Sequence, residues 1–297
     1  MANKEIENIV NMMLSSLDSD APMPSVEEMR VFYEAMGGAF PVGDDITINT
    51  IELGGVPTEE ICPNDADPSK VILYFHGGGY ALGSFVTHRS LVSDLARASG
   101  RNGYLIDYRL APENVFPAPI EDAVSAYKGL LETKNISASD IVFGGDSAGG
   151  GMVMATLLKL KELNLPLPAA ALCISPWVDL QMTGDTHQSK ADVDPMVHKE
   201  DLAVWVEMYL KSTPADTPLA SPIHGDLSGL PPLLIQVGSA ETLLDDSRML
   251  AANAKAAGVT VDLQEWEDMI HVWHHFAPMV EDGRKAISDI GTFYKKF

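Results

Sequence analysis

The sequence predicts an α/β fold in which helices flank a central, mostly parallel sheet. Short apolar runs rich in β-branched and aromatic residues alternate with longer amphipathic segments along the chain, and this alternation is typical of βαβ units. Runs such as 71–75 are apolar throughout, as expected of a strand that is covered on both faces. The chain of 297 residues is long enough for one large domain with a cap.

The N-terminal residues are predicted to be helical and to lie outside the sheet. Apolar residues at helical spacing predict a helix over 4–17. Ser25 followed by Glu28 is typical of a capping box, so a second helix is expected to extend to about Met36. We therefore assign residues 1–42 to a helical cap segment.

The rest of the chain alternates strands and helices in order. The predicted strands are 46–53, 56–61, 71–75, 104–108, 141–145, 169–175, 233–237 and 260–266. The predicted helices are 87–99, 119–132, 152–163, 199–211, 241–257 and a final helix that ends near Phe297. The alternation of strands and helices is interrupted in the polar, proline-bounded segment 183–218, which we interpret as a cap insertion. The α/β core is thus expected in two parts, 43–182 and 219–297.

Composition disfavours several classes of partner. Acidic residues outnumber basic residues, 42 to 20, and the formal charge is −22, which disfavours nucleic acid and anionic membrane surfaces as partners and repels anionic substrates. Cys62 and Cys173 provide no disulfide framework, and Cys173 is expected to pack in the core. No segment resembles a signal peptide or has the length of a membrane span. We expect a cytoplasmic protein without stable membrane association.

One glycine-rich stretch has the pattern of a reactive serine. Residues 145–149 fit G-x-S-x-G, in which Ser147 lies on a tight turn between a strand and a helix, and small neighbours let the two elements approach. The stretch also fits an ordinary glycine turn that binds a phosphate or no ligand. A serine hydroxyl is a poor nucleophile at neutral pH, so this interpretation requires a base, an orienting acid and oxyanion donors elsewhere.

Candidates for the donors and the base follow predicted strands. The His-Gly-Gly-Gly loop 76–79 comes after strand 71–75 and can direct backbone N–H groups at an oxyanion. His271 follows the last strand, with His274 and His275 close by as alternatives. A metal cluster of these three histidines is conceivable, but no acidic or cysteine ligand follows at the spacing of a metal site, so we predict no metal.

The orienting acid is expected after the strand 233–237, which gives the chain order serine, acid, histidine. Glu241 lies nearest the carboxyl end of that strand, where sites of open α/β sheets lie. Asp245 lies one helical turn further on the same face and can support Glu241 or replace it. Both acids also fit the ordinary enrichment of carboxylates at a helix N-terminus.

Together these residues resemble the bacterial esterases of the hormone-sensitive lipase family, within the α/β-hydrolase fold. The resemblance covers the chain from about residue 40 to the end. It is carried by the segments 74–79, 107–113, 116–118, 145–150, 175–177, 229–232 and 243–246 and by His271. It implies an α/β-hydrolase sheet with a helical cap built from 1–42 and 183–218.

The resemblance also implies roles for single residues. Ser147 is implied as the nucleophile, and His271 as the general base and then the general acid. The backbone N–H groups of Gly78, Gly79 and Ala148 are implied as the oxyanion hole.

The third triad member departs from the family pattern. The family usually has aspartate where this chain, in the same register, has Glu241, so Glu241 is the expected triad acid and Asp245 the alternative. No metal and no organic cofactor are implied.

The leading functional hypothesis is a carboxylesterase acting on small, neutral esters with short acyl chains. Two alternatives use the same fold: a catalytically weak small-molecule binding protein, and an amidase or peptidase. The resemblance also suggests a homodimer, formed through the edge of the last strand near Val261. The physiological ester cannot be read from the sequence.

Overall fold

Eight strands form one sheet in the computed structural model, which describes residues 3–15 and 24–297. The strands are β1 (Ile46–Leu53), β2 (Val56–Pro63), β3 (Asp67–Phe75), β4 (Arg101–Ile106), β5 (Ile141–Asp146), β6 (Ala170–Ile174), β7 (Leu233–Gly238) and β8 (Val261–Trp266). Their order across the sheet is β1-β2-β4-β3-β5-β6-β7-β8. Neighbouring strands are parallel throughout the part β4-β3-β5-β6-β7-β8, while β2 runs antiparallel to β1 and β4. The predicted α/β fold with a mostly parallel sheet is confirmed.

Helices cover both faces of this sheet. The α-helices of the described residues are α1 (Lys4–Ser15), α2 (Val26–Gly37), α3 (Phe85–Ser99), α4 (Ala118–Glu132), α5 (Ala148–Glu162), α6 (Thr186–Ser189), α7 (Lys199–Leu210), α8 (Leu244–Ala256) and α9 (Glu281–Tyr294). Helices α4, α5 and α8 pack on one face, and α3 and α9 pack on the other. Every residue of β4, β5, β6 and β7 is buried, because apolar side chains meet the sheet from both sides. Cys173 of β6 packs in this core as predicted.

Helix α5 begins earlier than the sequence predicts. It starts at Ala148 instead of residue 152, so the glycines 149–151 form its first turn. A Cβ on Gly149 would lie 2.0 Å from the carbonyl oxygen of Phe75 in β3. Glycine is therefore required here because α5 packs closely against the neighbouring strand β3, and not because the chain forms a loop.

Helix α8 begins later than the sequence predicts. It starts at Leu244 instead of residue 241, and the residues before it form a loop after β7. In that loop the Glu241 side chain accepts a hydrogen bond from the Gly238 N–H at 2.6 Å. The acid is therefore held at the carboxyl end of the strand and is not part of the helix.

The N-terminal helices form largely as predicted. In α2, the Ser25 Oγ accepts from the Glu28 N–H at 3.2 Å, and the Glu28 carboxylate accepts from the Ser25 N–H at 2.8 Å, which confirms the capping box. The predicted extension of α1 to residue 17 lies outside the described residues. Helix α1 buries Ile6 and Ile9 in an apolar cluster with Trp273.

The segment 183–218 contains α6 and α7. The short helix α6 was missed by the sequence analysis, because four residues are too few to show a helical period. The boundaries assigned to the cap and to the two parts of the core stay predictions. Strand β8 lies at an edge of the sheet, and the homodimer expected there also stays a prediction. No helix of the described residues is long and apolar enough to cross a membrane.

Candidate active site

Ser147 lies on the turn between β5 and α5 in a strained backbone conformation. Its φ is 53° and its ψ is −122°, a region that non-glycine residues rarely adopt. Two hydrogen bonds hold it there: its N–H donates to the Ile174 carbonyl oxygen at 2.9 Å, and its own carbonyl oxygen accepts from the Trp177 N–H at 2.9 Å. The turn is tight enough that a Cβ on Gly145 would lie 2.3 Å from the Gly149 carbonyl oxygen. The surrounding structure therefore fixes the serine at the end of the strand.

Three backbone N–H groups near this serine are free to donate. Ala148 is the first residue of α5, so its N–H has no partner within the helix. Gly78 and Gly79 lie in the loop after β3 with φ values of 116° and 60°. No hydrogen bond between described residues uses the N–H of Gly78, Gly79 or Ala148. Free N–H groups, one of them at the positive end of a helix dipole, can receive a developing negative charge.

His271 pairs with Glu241 behind the serine. The Nδ1 atom of His271 lies 2.6 Å from Oε2 of Glu241, and the two residues are 5 % and 0 % exposed. Because a carboxylate can only accept, Nδ1 carries the proton and Nε2 of the neutral ring has the free lone pair. Burial by itself lowers the pKa of His271, but the hydrogen bond and charge of Glu241 outweigh burial, so the pKa of His271 is raised. No hydrogen bond joins His271 to Ser147 in the described part of the chain, although both line one cavity.

Ser175 contacts Glu241 and the residue after His271, and the sequence analysis assigned it no role. Its Oγ donates to Oε1 of Glu241 at 2.9 Å and accepts from the Val272 N–H at 3.2 Å. Ser175 and Val272 both have positive φ values, 43° and 48°. Ser175 follows β6 in the segment 175–177, which is one of the segments that resemble the family. That position is the only feature of the sequence that indicates a role for this residue.

Asp245 does not contact His271. Its Oδ2 accepts from the Thr186 N–H of the insertion at 3.0 Å, and its Oδ1 lies 3.4 Å from the Arg248 guanidinium. The structure thus brings Glu241, and not the alternative acid, to the histidine.

Asp194 links the insertion 183–218 to the loop that carries Glu241. This buried carboxylate accepts from the N–H groups of Met196 and Val197 and, on its other oxygen, from the Thr242 N–H at 2.8 Å. Because Thr242 directly follows Glu241, the insertion fixes the position of the acid loop. Asp194 precedes β7 in the chain, so the expected order of serine, acid and histidine makes it a poor candidate for the triad acid.

A mostly apolar cavity of about 360 Å³ opens above the serine. Helices α1, α2 and α7 contribute to its wall, so segments far apart in the sequence enclose one space. Its large apolar lining residues are Met12, Tyr33, Met36, Phe40, Leu82, Trp177, Met196, Leu202, Trp205 and Phe276. None of its described lining residues is Lys or Arg, and two, Asp146 and Asp201, are acidic.

The three histidines 271, 274 and 275 do not form a metal cluster among the described residues. His274 donates to Gln236 of β7 at 2.7 Å and so points away from the others. Burial lowers the pKa of His274 and of His275 to about 3. His275 lies instead near Asp146, the residue before Ser147, which accepts from the Tyr74 hydroxyl at 2.8 Å.

Comparisons with known proteins identify relatives of this chain. A family model described as the α/β-hydrolase fold matches residues 72–275. An acetyl-hydrolase from Streptomyces hygroscopicus is 42 % identical over 99 % of this chain and 97 % of its own length. An esterase from Acinetobacter venetianus is 35 % identical over 89 % of this chain and 87 % of its own.

A solved structure is similar to this chain over its whole length. The crystal structure of an esterase from the bacterial hormone-sensitive lipase family has a TM-score of 0.96 and 46 % identity, and it covers 100 % of this chain and 99 % of its own.

Proposed function

The chain belongs to the bacterial hormone-sensitive lipase family of esterases within the α/β-hydrolase fold and is a carboxylic ester hydrolase; we propose that it cleaves small, neutral esters with short acyl chains. In this proposal Ser147, His271 and Glu241 form the catalytic triad. Gly78, Gly79 and Ala148 supply the oxyanion hole.

One observation carries the proposed triad. A buried carboxylate pairs with the Nδ1 of a histidine at 2.6 Å, and that histidine shares a cavity with a serine held at φ 53°. The pair fixes the tautomer in which Nε2 accepts a proton, which is what a general base for a serine requires. The free N–H groups beside the serine complete the set of groups that acyl transfer needs.

Acylation follows from these positions. The Ser147 Oγ attacks the ester carbonyl carbon while its proton passes to Nε2 of His271. The carbonyl oxygen becomes an oxyanion and accepts hydrogen bonds from the three backbone N–H groups. When the intermediate collapses, the bond to the alcohol oxygen breaks, and His271 returns the proton to that oxygen.

Deacylation repeats these steps with water. His271 removes a proton from a water molecule as its oxygen attacks the acyl carbon, and the same N–H groups hold the second oxyanion. The proton then returns to Oγ as the acid leaves. Glu241 stabilises the imidazolium in both halves of the reaction without being protonated itself.

Cavity size and charge support the proposed substrate class. A volume of about 360 Å³ lies at the small end of ligand sites. The described lining contains no cationic side chain for a carboxylate or phosphate, and the net charge of −22 disfavours anions further. A short aliphatic acyl group matches the apolar wall.

Hydrolysis of p-nitrophenyl butyrate by the Ser147→Ala variant tests the nucleophile. We expect kcat to fall by more than about 10⁴-fold, because the rest of the machinery cannot replace the nucleophile. A fluorophosphonate reagent should label the unaltered chain on the peptide that contains Ser147. His224→Gln, which changes an exposed histidine bonded to Gln181, is the matched control and should keep full activity. Retained activity in Ser147→Ala would overturn the assignment.

A further inference from the structure

A second group of ligand-type side chains lies directly behind the proposed nucleophile. His88 of α3, Asp146 of β5 and His275 of the 3-10 helix Trp273–Phe276 each offer one atom, and these atoms all lie within 4.8 Å of one another. No other group of three His, Cys, Asp or Glu side chains within residues 3–15 and 24–297 meets this geometry. We propose that His88, Asp146 and His275 bind a divalent transition-metal ion such as Zn²⁺ or Co²⁺, and that the bound ion inhibits the esterase.

His88 presents Nε2 to a carboxylate. His88 Nδ1 lies 2.6 Å from Thr87 Oγ1, which also lies 2.8 Å from the Ser84 carbonyl oxygen, so the Thr87 hydroxyl holds this nitrogen. His88 Nε2 lies 3.2 Å from the Gly77 nitrogen and 3.2 Å from Oδ2 of Asp146. In the neutral ring a proton on Nε2 can bridge the contact to Asp146, and a cation between the two atoms would take the place of that proton.

His275 has a ring nitrogen that the contact between His88 and Asp146 leaves without a partner. Its Nε2 is buried and has no hydrogen-bond partner among the described residues, and its ring centroid lies 4.8 Å from that of His88. A buried ring nitrogen without a partner raises the free energy of the folded state. A proton between His88 and Asp146 does not satisfy this nitrogen, whereas one ion bound by all three side chains through it does.

The donor set suits first-row transition metals. Two imidazole nitrogens and one carboxylate oxygen are ligands that Zn²⁺ and Co²⁺ bind well. Ligand atoms of a tetrahedral zinc site lie about 3.4 Å apart, so the longest separation in this group must shorten by about 1.4 Å. Thr87 holds the other ring nitrogen of His88, as the outer partner of a ligating histidine does. Asp146 and His275 also line the cavity, which gives the ion a path from solvent and leaves space for a water ligand.

A bound ion would disturb the proposed oxyanion hole. The N–H of Gly77 is shared between Nε2 of His88 and Oδ1 of Asp146, each at 3.2 Å. A metal on Nε2 removes one of these two acceptors and so weakens the hold on Gly77, the residue next to Gly78. Loss of one oxyanion donor lowers kcat by about 10²–10³. We therefore expect saturating Zn²⁺ to lower kcat at least tenfold, with a smaller change in KM; this consequence depends on the proposed function, whereas the binding does not.

Co²⁺ binding to the purified, metal-free full-length chain tests the site without using activity. Visible absorbance and equilibrium dialysis should show one Co²⁺ per chain. His275→Gln and His88→Gln should each weaken the Co²⁺ affinity at least tenfold, because each removes a ligand. Circular dichroism reports whether each variant folds. If His88→Gln does not fold, the Co²⁺ affinity of His275→Gln, which changes a less buried residue, decides the test.

Two controls separate this site from other histidines. His224→Gln and His271→Asn should keep the Co²⁺ affinity of the unaltered chain. Absence of stoichiometric Co²⁺, unchanged affinity in His275→Gln, or loss of binding in His271→Asn would each overturn the proposal. The Co²⁺ result stands apart from the Ser147→Ala test, so failure of one does not imply failure of the other.

Discussion

At the scale of single residues, the site depends on how one buried carboxylate is held. Both oxygens of Glu241 are engaged: Oε2 with His271, and Oε1 with the Ser175 hydroxyl and the Gly238 N–H. A fully buried carboxylate is stable only when its oxygens are paired in this way. The same bonds leave it a single orientation, which directs Nδ1 of His271 and thereby Nε2.

The Glu241→Gln variant should lose most of its activity. An amide can present its NH₂ group to Nδ1 and so favour the wrong tautomer, and it does not stabilise the imidazolium; we expect kcat to fall by about 10²–10⁴. Asp245→Asn is the matched control and should change kcat less than about threefold, because Asp245 does not contact His271 and an amide oxygen can still accept from the Thr186 N–H. Steady-state hydrolysis of p-nitrophenyl butyrate measures both. Equal losses in the two variants would contradict the assignment of Glu241.

The pH profile of kcat/KM should reflect the Glu241 carboxylate. The base must be neutral, and Glu241 raises the pKa of His271, so activity should rise with pH through a midpoint above the ordinary histidine value of about 6.5. In Glu241→Gln the residual activity should have its midpoint at lower pH, because the stabilising negative charge is gone. Values of kcat/KM measured from about pH 5 to pH 9 for both proteins test this prediction. An equal midpoint in the unaltered chain and in Glu241→Gln would contradict it.

At the scale of elements, the site depends on how closely α5 approaches the sheet. The helix begins directly after Ser147, and its glycines let its first turn lie against the end of β3. This contact brings the N–H of Ala148 and the loop of Gly78 to the same side of the serine. Side chains in the first turn would separate them.

The Gly149→Ala variant should therefore be strongly destabilised. The added Cβ would lie 2.0 Å from the Phe75 carbonyl oxygen, which is backbone and cannot rotate away. We expect the free energy of unfolding to fall by about 3 kcal/mol or more. Gly38→Ala is the control: its φ is −67°, and the change should be below about 1 kcal/mol. Urea unfolding followed by circular dichroism measures both, and similar values would refute the packing argument.

Helix α2 has one side chain that bonds to the main chain of the core. The Arg30 guanidinium donates to the carbonyl oxygens of Ala81 and Ala111 and pairs with both oxygens of Glu113, at 2.8–2.9 Å. Tyr33, on the same helix, lines the cavity. The position of the cavity wall therefore depends on Arg30.

The Arg30→Ala variant should bind longer esters less well. We expect KM for p-nitrophenyl butyrate to rise by about threefold to tenfold, because the four hydrogen bonds of Arg30 are lost. The KM for p-nitrophenyl acetate should change less, because a shorter acyl group contacts less of the wall. Glu27→Gln, an exposed change on the same helix, is the control. An equal rise for both esters would show that Arg30 acts on general stability instead.

At the scale of the whole molecule, charge and enclosure act together. The chain has a formal charge of −22, and the described lining of its cavity carries two carboxylates and no lysine or arginine. Such a field lowers the local concentration of anions and also favours release of an acid product.

Ionic strength should therefore affect anionic and neutral esters differently. The kcat/KM for mono-p-nitrophenyl succinate should rise severalfold when salt increases from about 0.01 M to about 1 M, because the Debye length falls from about 30 Å to about 3 Å. The kcat/KM for p-nitrophenyl butyrate, a neutral ester of the same acyl length, should change less than about twofold. A similar response of the two esters would mean that the charge of the molecule does not influence substrate choice.

Much of the architecture could be predicted because it follows from local patterns. The continuous apolar run 71–75 predicts a buried strand, and Ser25 with Glu28 predicts a helix start, since each depends on residues close in the sequence. The start of α5 could not be predicted in this way. Glycine before a helix normally indicates a turn, and only the carbonyl oxygen of Phe75, far away in the sequence, shows that these glycines belong to the helix.

The choice of acid illustrates the same limit. The sequence alone determined the α/β class of the fold and the small set of candidate groups at the carboxyl ends of the strands. Only the tertiary structure shows that Glu241, and not Asp245, pairs with His271. Only the tertiary structure also shows the contacts of Ser175 and Asp194 and the cavity wall that α1 and α2 form with α7. These features depend on distances between residues that are remote in the sequence, and such distances are fixed only when the sheet and its loops pack together.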